Sequence, residues 1–240
     1  MYLSLIIPLY NEERCLEESF KAVKAYLDTL KKDYEIVLVN DGSYDNTRLI
    51  VEKIVERNPK TSLLSSPENK GKGHAVRKGI LDAAGKYVIF TDADLAVPAR
   101  FIGTCLKELE SGNSMVIGSR HLPDSIFKIR EKPLRQFLGE IFRRFAQISL
   151  GLRVSDITCG LKGFSREAAF DIFSRSRIDR WGYDAEVVSL AQRLGYDIKE
   201  VPVVWRHSFD SKVNVGIDSL GTLLEIFRIR HYFARKLYNC

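Results

Sequence analysis

Residues 3–12 read LSLIIPLYNE. Leu3 to Leu9 form a short, largely apolar run without helical spacing, which suits a strand buried in a sheet. The run ends abruptly in Tyr10-Asn11-Glu12. The same phrase, an apolar run closed by polar side chains, recurs downstream. Glu35–Val39 leads into Asn40-Asp41-Gly42-Ser43, and Tyr87–Phe90 leads into Thr91-Asp92-Ala93-Asp94. Helical patterns lie between these runs: Glu13–Leu30, with Leu16, Phe20, Val23 and Leu27 on one face, then Thr47–Glu56, Gly73–Ala84, and Pro98–Leu109 with proline at its start. Thr61–Leu64 and Met115–Ile117 add strands. Regular strand–helix alternation predicts an α/β fold, a mostly parallel central sheet flanked by helices.

After about residue 120 the pattern changes. His121–Lys132 reads as a loop and Pro133–Leu150 as an amphipathic helix, with Leu134, Phe137, Leu138, Ile141, Phe142, Phe145 and Ile148 on one face. A strand around Phe164, a helix over Asp184–Leu194, a strand over Ile198–Trp205, a polar segment Arg206–Gly216 and a second amphipathic helix Ile217–Leu237 follow. The expected organisation is one domain over 1–240, with a nucleotide-binding half, 1–119, and an acceptor-binding half, 120–240.

Composition narrows the class. The 240 residues carry 37 Lys+Arg and 31 Asp+Glu, a net charge of +6, with 45% hydrophobic residues, so a disordered chain is excluded. No apolar run approaches the ~18 residues of a spanning helix, and no integral anchor is expected. The N-terminus reads as a first strand and not as a signal peptide, because it has no basic region and Pro8 and Glu12 cut its apolar run. Cys15, Cys105, Cys159 and Cys240 form no CxxC pair, which speaks against zinc and fits a reducing compartment. His74, His121, His207 and His231 show no ligand spacing and read as surface or packing residues.

In an open α/β sheet, ligands bind beyond the carboxyl ends of the strands, where the three polar clusters fall. Asp92 and Asp94, two apart in extended backbone, share a face. Such carboxylates repel unless a cation joins them or one is protonated; a divalent ion holding a diphosphate is one resolution, and capping of the following helix is the plainer reading. Asp41 has two readings, a turn residue bonding its own backbone or an acceptor for a base or ribose. Glu12 likewise caps the first helix or faces the nucleotide. Asn69-Lys70-Gly71-Lys72-Gly73-His74 is either a phosphate-contacting turn at a helix N-terminus or a solvated lysine turn. It is no Walker A loop, and no GxGxxG follows the first strand.

Taken together, IIPLYNE (6–12), VNDGSYDNT (39–47), NKGKGHAVRKG (69–79), DAD (92–94) and GSR (118–120) resemble the family 2 glycosyltransferases of the GT-A fold. DITCGLKGFSREAA (156–169), RWGYDAEVV (180–188) and VPVVWRHSFDSKV (201–213) narrow the likeness to the dolichyl-phosphate glucosyltransferase and mannosyltransferase branch, the RWxxDxE segment leaning to the glucosyl members. The resemblance implies a GT-A, nucleotide-diphospho-sugar-transferase-like fold. Pro8, Tyr10, Glu12 and Asp41 would line the base and ribose pocket, with Asn11 among the donor-binding residues. Asp92 and Ala93 would meet ribose and diphosphate, and Asp94 would hold Mg2+ or Mn2+. Arg120 would face the transferred sugar or acceptor phosphate. Lys212, with Lys72, would meet the donor diphosphate, and Asp184 and Glu186 would position acceptor or sugar. Two departures stand out: Ala96 replaces a polar metal ligand of some mannosyl members, and a C-terminal membrane domain of some members would lie past Cys240.

The implied reaction moves glucose or mannose, with inversion, from UDP-glucose or GDP-mannose to a polyprenyl or dolichyl phosphate. A phosphate acceptor is largely ionised at neutral pH and needs no strong base. A hydroxyl acceptor, as in a soluble family 2 enzyme acting on a saccharide, would need Asp184, Glu186 or Asp156 as base. A sugar-nucleotide pyrophosphorylase would want glycines directly after the first strand. A nucleic-acid-binding module is disfavoured because the N-terminal clusters are acidic. The expected location is cytoplasmic, peripheral on a membrane. Arg130, Lys132, Arg135, Arg143 and Arg144 on or beside one amphipathic helix, and Arg228, Arg230, Arg235 and Lys236 on the other, would contact anionic lipid.

Overall fold

The computed structural model describes residues 1–129, 133–206 and 215–239. The first half follows the expected alternation: β1 (Leu3–Leu9), α1 (Leu16–Thr29), β2 (Tyr34–Asp41), α2 (Thr47–Arg57), β3 (Thr61–Ser66), α3 (Lys72–Asp82), β4 (Tyr87–Phe90), α4 (Arg100–Glu110) and β5 (Met115–Ser119). β1, β2, β3 and β4 pair in parallel, and every residue of β1 is buried, which is why it reads as a continuous apolar run. Pro8 lies beyond Ile6, the last β1 residue paired with β4, a fitting place for a residue without an N–H.

The second half departs from the sequence reading in three places. A strand, β6 (Ile126–Ile129), lies within the expected loop. After α5 (Pro133–Leu150) and β7 (Lys162–Ser165), a helix the periodicity did not announce, α6 (Arg166–Arg175), begins at once, its N-cap Ser165 accepting from the Ala168 N–H at 3.3 Å. After α7 (Tyr183–Arg193), the strand expected over Ile198–Trp205 breaks at Val203 into β8 (Ile198–Pro202) and β9 (Val204–Arg206), the latter pairing with β6 in a separate small sheet. α8 (Val215–Ala234) closes the order.

The main sheet runs β3-β2-β1-β4-β7-β5-β8. β7 alone is reversed, antiparallel to both β4 and β5. Its reversal places its first residue, Lys162, opposite Phe90 at the carboxyl end of β4. A strand start therefore contributes to the edge where the other strands finish. The sheet draws strands from both sides of residue 120.

Candidate active site

The ends of β1 and β2 are stapled together. Asn11, at φ 56°, donates its backbone N–H to Ser43 Oγ at 2.9 Å, and its side-chain oxygen accepts from Tyr44 N–H at 3.0 Å. Glu12 N–H donates to Thr47 Oγ1 at 2.7 Å, and the Glu12 carboxylate accepts from the Cys15 thiol at 3.3 Å. The Tyr10 and Tyr44 rings meet edge to face, 6.1 Å apart. Tyr10, Asn11 and Glu12 thus stand beside the Asp41 turn, as the motif order implied.

Asp41 is buried, and its two carboxylate oxygens accept from the Lys70 and Gly71 N–H groups at 3.2 and 2.7 Å. The loop it holds is built for close packing. A Cβ on Gly71 or Gly73 would strike the backbone of Asp179 or Ile178, and His74 N–H donates to Asp179 O at 2.9 Å. The glycines of the lysine turn therefore answer to the 178–179 backbone, a cause invisible in the local sequence. His74 Nδ1 is 3.7 Å from Asp41, but burial lowers its pKa, so the imidazole is neutral at neutral pH.

Beyond β4, Asp94 accepts from Ala96 N–H at 3.0 Å, and Leu95 turns at φ 47°. Lys72 Nζ lies 2.6 Å from Asp92 Oδ1 and 5.8 Å from the centroid of Trp181. Gly160 has no room for a Cβ because Asp92 Oδ2 occupies that space. Ala93 is buried at the same turn. Next to this group, buried Lys162 pairs with Asp184 and donates to Cys159 O at 2.8 Å. Asp92, Ala93, Asp94, Lys72 and Asp184 are thus brought together. Trp181, Gly160 and Lys162, which no candidate set contained, complete the group. The reversed β7 that delivers Lys162 was not legible.

Arg120 is held by a fork. Its Nε and Nη2 donate to the two oxygens of Asp156 at 2.8 and 2.9 Å, its backbone N–H adds a third bond at 3.0 Å, and Nη2 reaches Thr158 Oγ1 at 2.7 Å. The guanidinium stands 5.6 Å from the centroid of Trp205. Burial opposes ionisation of Asp156, but Arg120 outweighs it and holds the carboxyl far below the usual range.

Glu186 faces elsewhere. Two residues along a helix from Asp184, it accepts from the Arg177 and Ile178 N–H groups at 2.9 and 3.0 Å and from the Tyr238 hydroxyl at 2.6 Å. Burial raises its pKa against those donors. The structure assigns it to anchoring the 177–178 segment and the C-terminal turn, not to the Asp92–Asp184 group. Lys212 lies outside the described residues, although Arg206 N–H, bonded to Ala96 O at 2.9 Å, ties the end of β9 to the 92–96 turn.

Among the described residues no three His, Cys, Asp or Glu side chains cluster as a ready metal site, and no helix is long and apolar enough to cross a membrane. α5 and α8 pack together through Phe145 and Phe227, whose ring centroids are 5.8 Å apart. Ile141, Ile148, Leu224 and Phe227 are exposed on these helices, Ile148 by 84%. Arg144, Arg228, Arg230, Arg235 and Lys236 are exposed as well. Arg143 is turned inward, bonded to Glu140 and to Ser155 O at 2.9 Å, which removes it from the expected basic surface. Arg130 and Lys132, and the Arg135 side chain, lie outside the described part.

Comparison with known proteins accords with this arrangement. The model of the family described as "Glycosyl transferase family 2" matches residues 4–173. A dolichyl-phosphate beta-glucosyltransferase of Dictyostelium discoideum is 37% identical, covering 100% of this chain and 77% of that protein, and one of Saccharomyces cerevisiae is 32% identical, covering 100% and 77%. Among solved structures, glucosyl-3-phosphoglycerate synthase from Mycobacterium tuberculosis with Mn2+, UDP-glucose and phosphoglyceric acid aligns at a TM-score of 0.70 and 19% identity, covering 94% of this chain and 79% of that one. The sheet order, the carboxylates at its carboxyl edge and these likenesses converge: this chain is a GT-A glycosyltransferase and belongs to glycosyl transferase family 2.

Proposed function

We propose that this enzyme moves glucose from UDP-glucose to a polyprenyl phosphate such as dolichyl phosphate, with inversion at the anomeric carbon. The relatives named above, at 32% and 37% identity over the whole chain, support glucose and a dolichyl phosphate acceptor. The observation that carries the choice of acceptor is the engagement of every candidate base. Asp156 is forked onto Arg120, Glu186 accepts backbone N–H groups and Tyr238, and Asp184 is paired with buried Lys162. A hydroxyl acceptor needs a carboxylate able to take its proton. A phosphate acceptor, with a second pKa of about 6, arrives as its own nucleophile.

Pro8, Tyr10, Glu12 and Asp41 line the base and ribose side, with Asn11 shaping that loop. Asp92 and Ala93 meet ribose and diphosphate. Arg120, kept in one orientation by Asp156 and Thr158, receives the acceptor phosphate and aligns its oxygen behind the anomeric carbon. Lys72 and Lys212 contact the leaving diphosphate. Asp94, beside Asp92, offers the hard oxygen donors that would hold Mg2+ or Mn2+, and such an ion would supply positive charge against the leaving diphosphate. The exposed apolar and basic face of α5 and α8 supports peripheral contact with an anionic membrane. Cys15, Cys105 and Cys159 carry thiols and not disulfides, which accords with the cytoplasmic side.

Asp94→Asn tests the site. Sugar transfer should be abolished while the melting temperature stays close to wild type; undiminished transfer would overturn the metal assignment.

A further inference from the structure

Lys72 sits where helix energetics disfavour it. It is the first residue of α3, and a cation at a helix N-terminus has the wrong sign for the dipole. Gly71 and Gly73 on either side are clamped against the Asp179 and Ile178 backbone, which fixes the main chain from which the lysine is aimed. Its side chain is only 19% exposed, with Asp92 Oδ1 at 2.6 Å and the Trp181 ring beside it. Burial alone would lower its pKa, but Asp92, Asp184 and Asp94 together more than reverse this, so the ammonium stays charged. The Asp92 carboxylate occupies the space that the missing side chain of Gly160 leaves open. A largely buried cation is therefore paired with Asp92 and feels the charge of Asp94 and of Asp184, which has Lys162 as its own partner.

We infer that Lys72 is the resident cation of the donor site: it neutralises Asp92 when no donor is bound and exchanges Asp92 for the donor diphosphate when a metal–nucleotide enters. The inference rests on the donor-site reading under Proposed function. Two consequences follow from charge and linkage. A divalent ion alone must compete with a tethered ammonium, which has a high effective concentration. Nucleotide and metal must then enhance each other's binding, because the diphosphate offers Lys72 a new partner as it leaves Asp92.

The test is Mn2+ titration followed by electron paramagnetic resonance, with and without UDP, on wild type, Lys72→Met and Lys72→Arg. Wild type should bind Mn2+ alone weakly, with UDP tightening it about tenfold or more, within the usual range of coupling between sites. Lys72→Met should bind Mn2+ alone about tenfold tighter than wild type and lose most of the UDP enhancement. Lys72→Arg should behave as wild type. A Lys72→Met protein that binds free Mn2+ no tighter than wild type overturns the inference while leaving the donor site standing. A wild type that binds no Mn2+ even with UDP overturns both. A measurement on wild type alone covers the case of a misfolded variant: the melting-temperature rise with Mn2+ and UDP together should exceed the sum of the separate rises, and additive rises refute the exchange.

Discussion

Asp156 shows what one ion pair does to the titration of a buried carboxylate. It is fully buried, and three donors of Arg120 meet it. Its pKa is depressed, so the unfolded chain takes up its proton more readily than the folded one. Its contribution to stability is full above the ordinary Asp pKa of about 3.9 and is lost as pH falls toward the folded value. Asp156→Asn leaves a half-buried guanidinium without its counter-charge. It should destabilise the protein by about 3 kcal/mol and flatten the acid limb of stability below about pH 4, as read by urea unfolding across pH. An unchanged acid limb would remove the argument. Glu186 should behave differently, because its acceptors serve backbone N–H groups that an amide oxygen also satisfies. Glu186→Gln should keep most transfer activity, whereas a loss as deep as that of Asp94→Asn would return Glu186 to the chemistry.

At the scale of elements, the turns after β1, β2 and β4 are held by short side-chain bridges, and their geometry depends on segments distant in sequence. Gly160, before β7, is the sharpest case. It has an ordinary backbone conformation, and the Cβ of an alanine would displace only the carboxylate end of Asp92. Gly160→Ala should weaken UDP–Mn2+ binding about tenfold with little change in melting temperature, as read by calorimetry, because the crowding falls on the end of one side chain and not on backbone. A large loss of stability with normal nucleotide affinity would contradict this. The same dependence on distant segments separates what was legible from what was not. β1, β4 and the three polar strand ends could be read because a buried parallel strand is a local pattern. The reversal of β7 could not, since LKGFS carries no mark of strand direction, and with it went Lys162. The break at Val203 was hidden inside one apolar run, and β6 inside a polar stretch. Trp181 belongs to the RWGYDAEVV motif, but its place beside Lys72 depends on packing of the 178–182 turn against α3. Ser165, by contrast, is an N-cap that the local sequence carries, its hydroxyl accepting from the Ala168 N–H.

For the whole molecule, the proposed transfer to a lipid calls on two surfaces: the lysine-compensated carboxylates at the carboxyl edge of the sheet, and the exposed apolar and basic residues of α5 and α8. Binding to anionic vesicles should fall with salt. Removing Arg228 and Arg230 together should weaken it by about 2 kcal/mol, at about 1 kcal/mol per basic residue near the surface, as measured by co-sedimentation. Salt-independent binding, or none at low salt, would detach this face from the acceptor. Both surfaces serve one reaction, the transfer itself. The enzyme, Mn2+ and polyprenyl phosphate in vesicles, supplied with UDP-glucose, GDP-mannose or UDP-N-acetylglucosamine, should yield a lipid product identified by mass spectrometry as a β-glucosyl phosphate, formed from UDP-glucose alone. Absence of sugar on the lipid, with glucose appearing instead on a saccharide hydroxyl, would contradict the account.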